Sequence, residues 1–172
     1  IIKEICPDAK VVGAVYNPGD ESNTRTVNEL KSLLPEFGLE LIEASISTSA
    51  DIYTAAISLV DRVDVMWIPM DNTVIGAVEA LISVCEEYNI PFFASEATCV
   101  EKGAIACVSS PIEDLGRLGA HIAARVLRGE DPCNIPVTTP ETTHIHLNPG
   151  AAERIGITIP QSLLDKAFEI VE

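Results

Sequence analysis

"KVVGAVYNPGDESNTRTVNELKSLLPEFGLELIEA", residues 10–44, is the stretch on which the fold turns. Its opening, "KVVGAVY" (10–16), is an apolar run rich in β-branched residues, the composition of a buried strand. Val27, Leu30, Leu33, Leu34 and Phe37 then recur at helical spacing, and Gly38 supplies the residue that most easily ends a helix. "LELIEA" (39–44) alternates apolar and polar side chains, as a strand does. Strand, helix and strand in so short a span make a βαβ unit, with parallel strands and a right-handed crossover.

The same grammar continues outward. Asp51 stands where it can cap a helix carrying Ile52, Ala55, Ala56, Leu59 and Val60 on one face. "VDVMWIP" (63–69) reads as the third strand, and Val74, Val78, Leu81, Ile82 and Cys85 mark a long helix. "IPFFAS" (90–95) and "GAIACVSS" (103–110) are the fourth and fifth strands. Ser110, Pro111 and Glu113 form a helix start with a hydroxyl cap, a first-turn proline and a capping-box glutamate. That helix has Leu115, Leu118, Ile122 and Val126 on its apolar face and ends at Gly129. The expectation is an α/β fold, a doubly wound parallel sheet in the flavodoxin-like order 2-1-3-4-5, with residues 1–137 as one Rossmann-like ligand-binding lobe.

After Gly129 the pattern changes. Pro132, Pro136, Pro140 and Pro149 suggest an extended connector with a strand near 143–147, followed by two short amphipathic helices around Gly156 and Pro160. Segment 138–172 is too small for a core of its own, so it is expected to dock elsewhere.

Composition narrows the function classes. The chain has 172 residues, 47% of them hydrophobic, enough for one substantial core. A formal charge of −15 removes the attraction on which nucleic-acid binding and anionic membrane surfaces depend. Five cysteines without a CxxC do not spell a disulfide framework or a zinc site, and Cys85 and Cys107 sit in apolar patterns as small hydrophobes. No apolar run approaches the roughly 20 residues of a membrane span.

In an open parallel sheet, ligands bind beyond the carboxyl ends of the strands. Three exits are polar there: Asn17-Pro18-Gly19-Asp20-Glu21-Ser22-Asn23, Asp71-Asn72-Thr73, and Ser95-Glu96-Ala97-Thr98. Any one of them reads equally as helix capping, because Asp, Asn, Ser and Thr are the preferred N-caps. Three acid-bearing exits on one edge point further, since gathered like charges cost free energy unless solvent, a cation or a metal offsets them. A phosphate loop does not fit: Gly19 is followed by Asp20 and Glu21, and GxxxxGK[ST] is missing. The pattern suits an ammonium group, while helix N-termini beside it suit a carboxylate, and an amino acid carries both. Tyr16, at a strand end, is either core or rim. His144 and His146 share a strand face but lack a third metal ligand; Met66 and Trp67 are core candidates. Ser95, Ser109 and Ser110 have no GxSxG elbow, and His121 falls on a polar helix face.

With those residues in view, the sequence resembles the ABC-transporter substrate-binding protein family that includes tryptophan- and tyrosine-binding lipoproteins. The matching stretches are "VGAVYNPGDESN" (12–23), "PMDNTV" (69–74), "PFFASEATCVEKGAIA" (91–106), "DLGRLGAHIAARVLRGEDPCNIPV" (114–137) and "LNPGAAERIGITIPQSLL" (147–164). The resemblance implies the type I periplasmic-binding-protein fold and a carboxy-terminal lobe, with a secretion signal and an amino-terminal lobe beyond this chain. It implies that segment 138–172 crosses the hinge and docks on that other lobe. It also implies an amino acid ligand, a membrane permease as partner, an extracytoplasmic location (periplasmic or as an anchored lipoprotein), no cofactor and no catalysis. Tyr16, Asn17, Ser22, Asn23, Asp71, Asn72, Thr73, Ser95 and Glu96 would line the cleft, with Asp71 and Glu96 meeting the ligand ammonium. Where relatives often show an aromatic-rich turn, this chain has "VSSPIED" (108–114), so an aromatic pocket does not carry over at that point. An exposed apolar face would let the lobe alone form a homodimer.

A receiver-type phosphoacceptor domain has the same strand order and is the alternative. Asp20 and Glu21 would hold its metal, Asp71 would accept phosphate and Ser95 would supply the hydroxyl, but its lysine at the fifth-strand exit is missing. A hydrolase on this scaffold has no residue set to argue for it.

Overall fold

A computed structural model describes residues 1–140 and 142–171. A short helix α1 (Ile2–Ile5) leads into β1 (Val11–Tyr16), α2 (Glu21–Leu33) and β2 (Glu40–Ser45). Helix α3 (Ile52–Ile57), β3 (Val65–Ile68), α4 (Asn72–Ile75), α5 (Val78–Glu87) and β4 (Phe92–Ala94) follow. Then come α6 (Thr98–Lys102), β5 (Ala106–Ser109), α7 (Ile112–Leu127), β6 (His144–Leu147), α8 (Pro149–Arg154), α9 (Gln161–Leu164) and β7 (Glu169–Ile170). Among the described residues the strands form one sheet in the order β2-β1-β3-β4-β5-β6-β7, which contains the anticipated 2-1-3-4-5. The pairs β1–β2, β1–β3, β3–β4, β4–β5 and β6–β7 are parallel.

Strand alternation sends side chains to two cores. Val15, Met66, Ile68, Phe92 and Ala94 join Ile52, Ala56 and Leu59 of the α3 region and Val78, Leu81, Ile82 and Cys85 of α5 on one face. Val12, Val65, Phe93, Ile105 and Ala106 join Leu34, Leu39 and Ile5 on the other. Helices on both faces are what make the sheet doubly wound. Trp67 lies partly buried on the second face, and Met66 is fully buried.

Three local expectations change. The long helix over Val74–Cys85 is two helices, because Ala77 leaves helical dihedrals (φ −142°, ψ 34°), yet its apolar stripe stays in the core. Ser110 does not cap α7. Pro111 occupies the cap position, no side chain caps the helix, and Glu113 instead meets Arg117 one turn on at 2.5 Å. Asp51 turns backward, its Oδ2 accepting from the Thr48 and Ser47 amides at 2.8 and 3.2 Å, so it closes the preceding turn. Gly38 does end its helix, at φ 68° where a side chain would be strained.

The chain divides into two compact units, one of Ile1–Val108 with the segment from Ile145 onward, the other Ser109–His144. In the first, Leu147, Ala151, Ala152, Ile159 and Leu163 belong to the second core beside Val12 and Phe93. Asn148 caps α8 through the Ala151 amide and donates to the Val100 carbonyl at 2.8 Å, which ties this segment to α6. The segment taken as 138–172 is thus divided by the unit boundary, and its last residue, Glu172, falls outside the described residues. The second unit carries α7, in which no residue is buried; Ile112 and Leu127 are 78% and 88% exposed.

Candidate functional site

Because β1, β3 and β4 are adjacent and parallel, their carboxyl ends lie at one edge of the sheet. The three polar exits anticipated from the sequence therefore share an edge. What each does there differs.

The β1 and β3 exits are joined. Asp71 caps α4, its Oδ1 accepting from the Thr73 and Val74 amides at 2.8 and 3.3 Å. Its Oδ2 accepts from the Asn17 amide at 2.6 Å, a link across 54 residues of sequence. The Asn17 side chain adds a long contact, Nδ2 to Thr73 Oγ1 at 3.4 Å, and its Oδ1 accepts from the Gly19 amide at 2.8 Å. Asp71 is only 1% exposed, so three backbone N–H groups solvate a carboxylate that water scarcely reaches. A phosphoacceptor aspartate needs an accessible oxygen, and Asp71 offers none here.

The β1 exit enters α2 through Asp20, whose Oδ1 accepts from the Ser22 amide at 2.8 Å. Ser22 is exposed, while Asn23, one residue further, is 2% exposed with an Nδ2 that finds no partner among the described residues. Asn72 is exposed and Thr73 half-buried on the first turn of α4.

The β4 exit is self-contained. The Ser95 amide donates to the Ile68 carbonyl at 3.2 Å and so continues the pairing with β3. Glu96 Oε2 accepts from the Thr98 amide at 2.9 Å and from the Thr98 hydroxyl, and no described residue bonds Oε1. Both Ser95 and Glu96 are half-buried.

Tyr16 is interior, 5% exposed, and its hydroxyl donates to Glu43 Oε2 at 2.7 Å. Glu43 Oε1 in turn meets Lys31 at 2.6 Å. Burial, then the bond to Glu43 and its charge, push the Tyr16 phenol up to about 12. The Lys31 and Tyr16 hydrogen bonds hold the Glu43 carboxyl below its usual range. Sequence reading missed this chain of three, because it joins β1, β2 and α2 across the sheet. It also missed Met70, 59% exposed between Pro69 and Asp71, an apolar side chain left at the rim. Its only sequence signal was a lone hydrophobe between a strand and a cap.

Elsewhere, His146 Nδ1 lies 2.9 Å from Glu169 Oε2, its ring edge-on to Phe168. Cys85, Cys99 and Cys107 are buried, and burial raises the Cys99 thiol to about 12.

The fold and its edge define the class: a lobe of type I periplasmic-binding-protein architecture. The family model described as ABC transporter substrate binding protein matches residues 1–171. A tyrosine-binding protein of Clostridioides difficile (strain R20291) is 34% identical over 148 residues, covering 86% of this chain and 43% of the relative. The structure of a conserved domain protein from Vibrio cholerae superposes with a TM-score of 0.89 at 34% identity, covering 98% of this chain and 57% of that one. An ABC domain from Streptococcus pneumoniae, solved in complex with L-Trp, gives 0.89 at 28% identity, covering 99% of this chain and 58% of that one. The chain belongs to the ABC transporter substrate-binding protein family. It spans less than half of the curated relative and somewhat over half of the two solved chains.

Proposed function

We propose that this lobe forms one wall of an inter-lobe cleft that captures a small amino-acid-like ligand for an ABC importer, without catalysing a reaction on it. The observation that carries the reading is the Asn17–Asp71 bond, which ties two strand exits into one rim at the ligand-binding edge of the sheet. Tyr16, Asn17, Ser22, Asn23, Asp71, Asn72, Thr73, Ser95 and Glu96 would make or support that wall. The half-buried Glu96 carboxylate suits the ligand's ammonium.

The other wall would come from an amino-terminal lobe, consistent with the length by which the relatives exceed this chain. Leu115, Leu118, Ile122 and Val126 of the α7 stripe would pack on that lobe, which accounts for a helix with no buried residue. Closure of two such lobes follows from a ligand's higher affinity for the closed form, and the closed form would dock on a membrane permease. An extracytoplasmic location goes with that role; no helix among the described residues is long and apolar enough to cross a membrane.

Calorimetric titration of L-tryptophan and L-tyrosine into the two-lobed protein that carries this chain tests the proposal. Saturable binding of either, with thermal stabilisation that grows with ligand concentration, is the expected result. No binding of either, nor of other amino acids, would remove it.

A further inference from the structure

Two carboxylates on this rim look alike in sequence, and the geometry separates them. We infer that Asp71 is a positioning residue that holds Asn17 and Thr73 in their binding arrangement, and that Glu96 is the carboxylate left to meet a ligand's ammonium. The inference rests on the binding proposal and adds to it which acid reads the amine.

A carboxylate offers about four acceptor sites. Three backbone N–H groups occupy Asp71, from Asn17 at 2.6 Å, Thr73 at 2.8 Å and Val74 at 3.3 Å. The remaining site is closed to solvent, the residue being 1% exposed, so an ammonium could reach it only by moving the chain that covers it. Doing so would release either the β1 exit or the first turn of α4. Glu96 is half-buried, not closed off, and only its Oε2 is engaged, by Thr98; Oε1 keeps its lone pairs. A charge already balanced by fixed backbone dipoles shapes a site, while a charge with a free oxygen can recognise a cation.

The test uses the two-lobed protein with L-tryptophan and 3-indolepropionate, which lacks only the amine, and with L-tyrosine and its des-amino analogue. Asp71→Asn keeps one acceptor oxygen and should weaken an amino acid and its analogue by the same factor, about tenfold for one lost bond. It should also speed amide exchange at Asn17 and Thr73. Glu96→Gln should shrink the preference for the amine-bearing ligand and leave those exchange rates unchanged. If Asp71→Asn instead erases the amine preference, Asp71 is a ligand contact and the inference is overturned. Unchanged affinities in Asp71→Asn would overturn it too, by making the brace irrelevant to binding. Should the unaltered protein bind none of the four compounds, the binding proposal fails, and unaltered amide exchange in Asp71→Asn would sink the brace separately.

Discussion

The exits of β3 and β4 are written almost identically, an acid followed within two residues by a hydroxyl, and they fold into opposite arrangements. Asp71 reaches across 54 positions to the Asn17 amide and disappears from solvent. Glu96 reaches only to Thr98, two positions on, and stays half-open. The difference comes from what stands beside each strand end. β3 is flanked by β1, whose chain turns directly over Asp71, whereas at the β4 exit Glu96 closes on its own turn. A shared local pattern thus yields a brace in one place and an available charge in the other.

The contrast can be broken by stability measurements. Asp71→Ala strips acceptors from three backbone N–H groups and a helix cap, and should cost about 3 kcal/mol in urea unfolding. If the loss stayed near that of an ordinary surface substitution, the brace would carry no energetic weight. Tyr16→Phe removes the bond to Glu43 behind the rim and should cost about 1 kcal/mol.

The same tyrosine has a pH signature. Its folded pKa, about 12, lies above the ordinary 10.0, so the folded state holds the proton longer than the unfolded one. The stability from the neutral phenol is complete below the ordinary value and fades as pH rises through that window. Tyr16→Phe should flatten this decline, read from unfolding midpoints across alkaline pH.

Glu96→Ala touches one local turn and should change stability by no more than about 0.5 kcal/mol. A larger cost would erase the distinction between the exits. Alkylation at about pH 8 refines it: exposed Cys133 should react in the native state, while Cys99, buried on α6 just beyond the β4 exit, should wait for local opening. The smallest effect belongs to Glu43. Its depressed folded pKa gives a contribution present above the ordinary 4.5 and lost as pH falls below it, so Glu43→Gln should differ from the parent protein only above that range.

Hydrophobic period marked the first five strands, though not the short β7 (Glu169–Ile170), and their alternation with helices implied a parallel sheet in the doubly wound order. It also marked all three exits, since N-cap chemistry is local. Where long-range partners decide, the sequence was silent. The Tyr16–Glu43–Lys31 chain depends on neighbours far away in sequence, whereas the backward turn of Asp51 is local, onto Ser47 and Thr48, and competes with the helix capping read from the sequence. Segment 145–171 shows the same limit: its apolar residues announce that they need a partner, and only the fold reveals the partner as the face carrying Val12 and Phe93. The residue types at the rim were therefore legible from the chain, while the division of labour between Asp71 and Glu96 was not. A carboxylate's role depends on which donors surround it, and those donors are assembled only when separate strands are laid side by side.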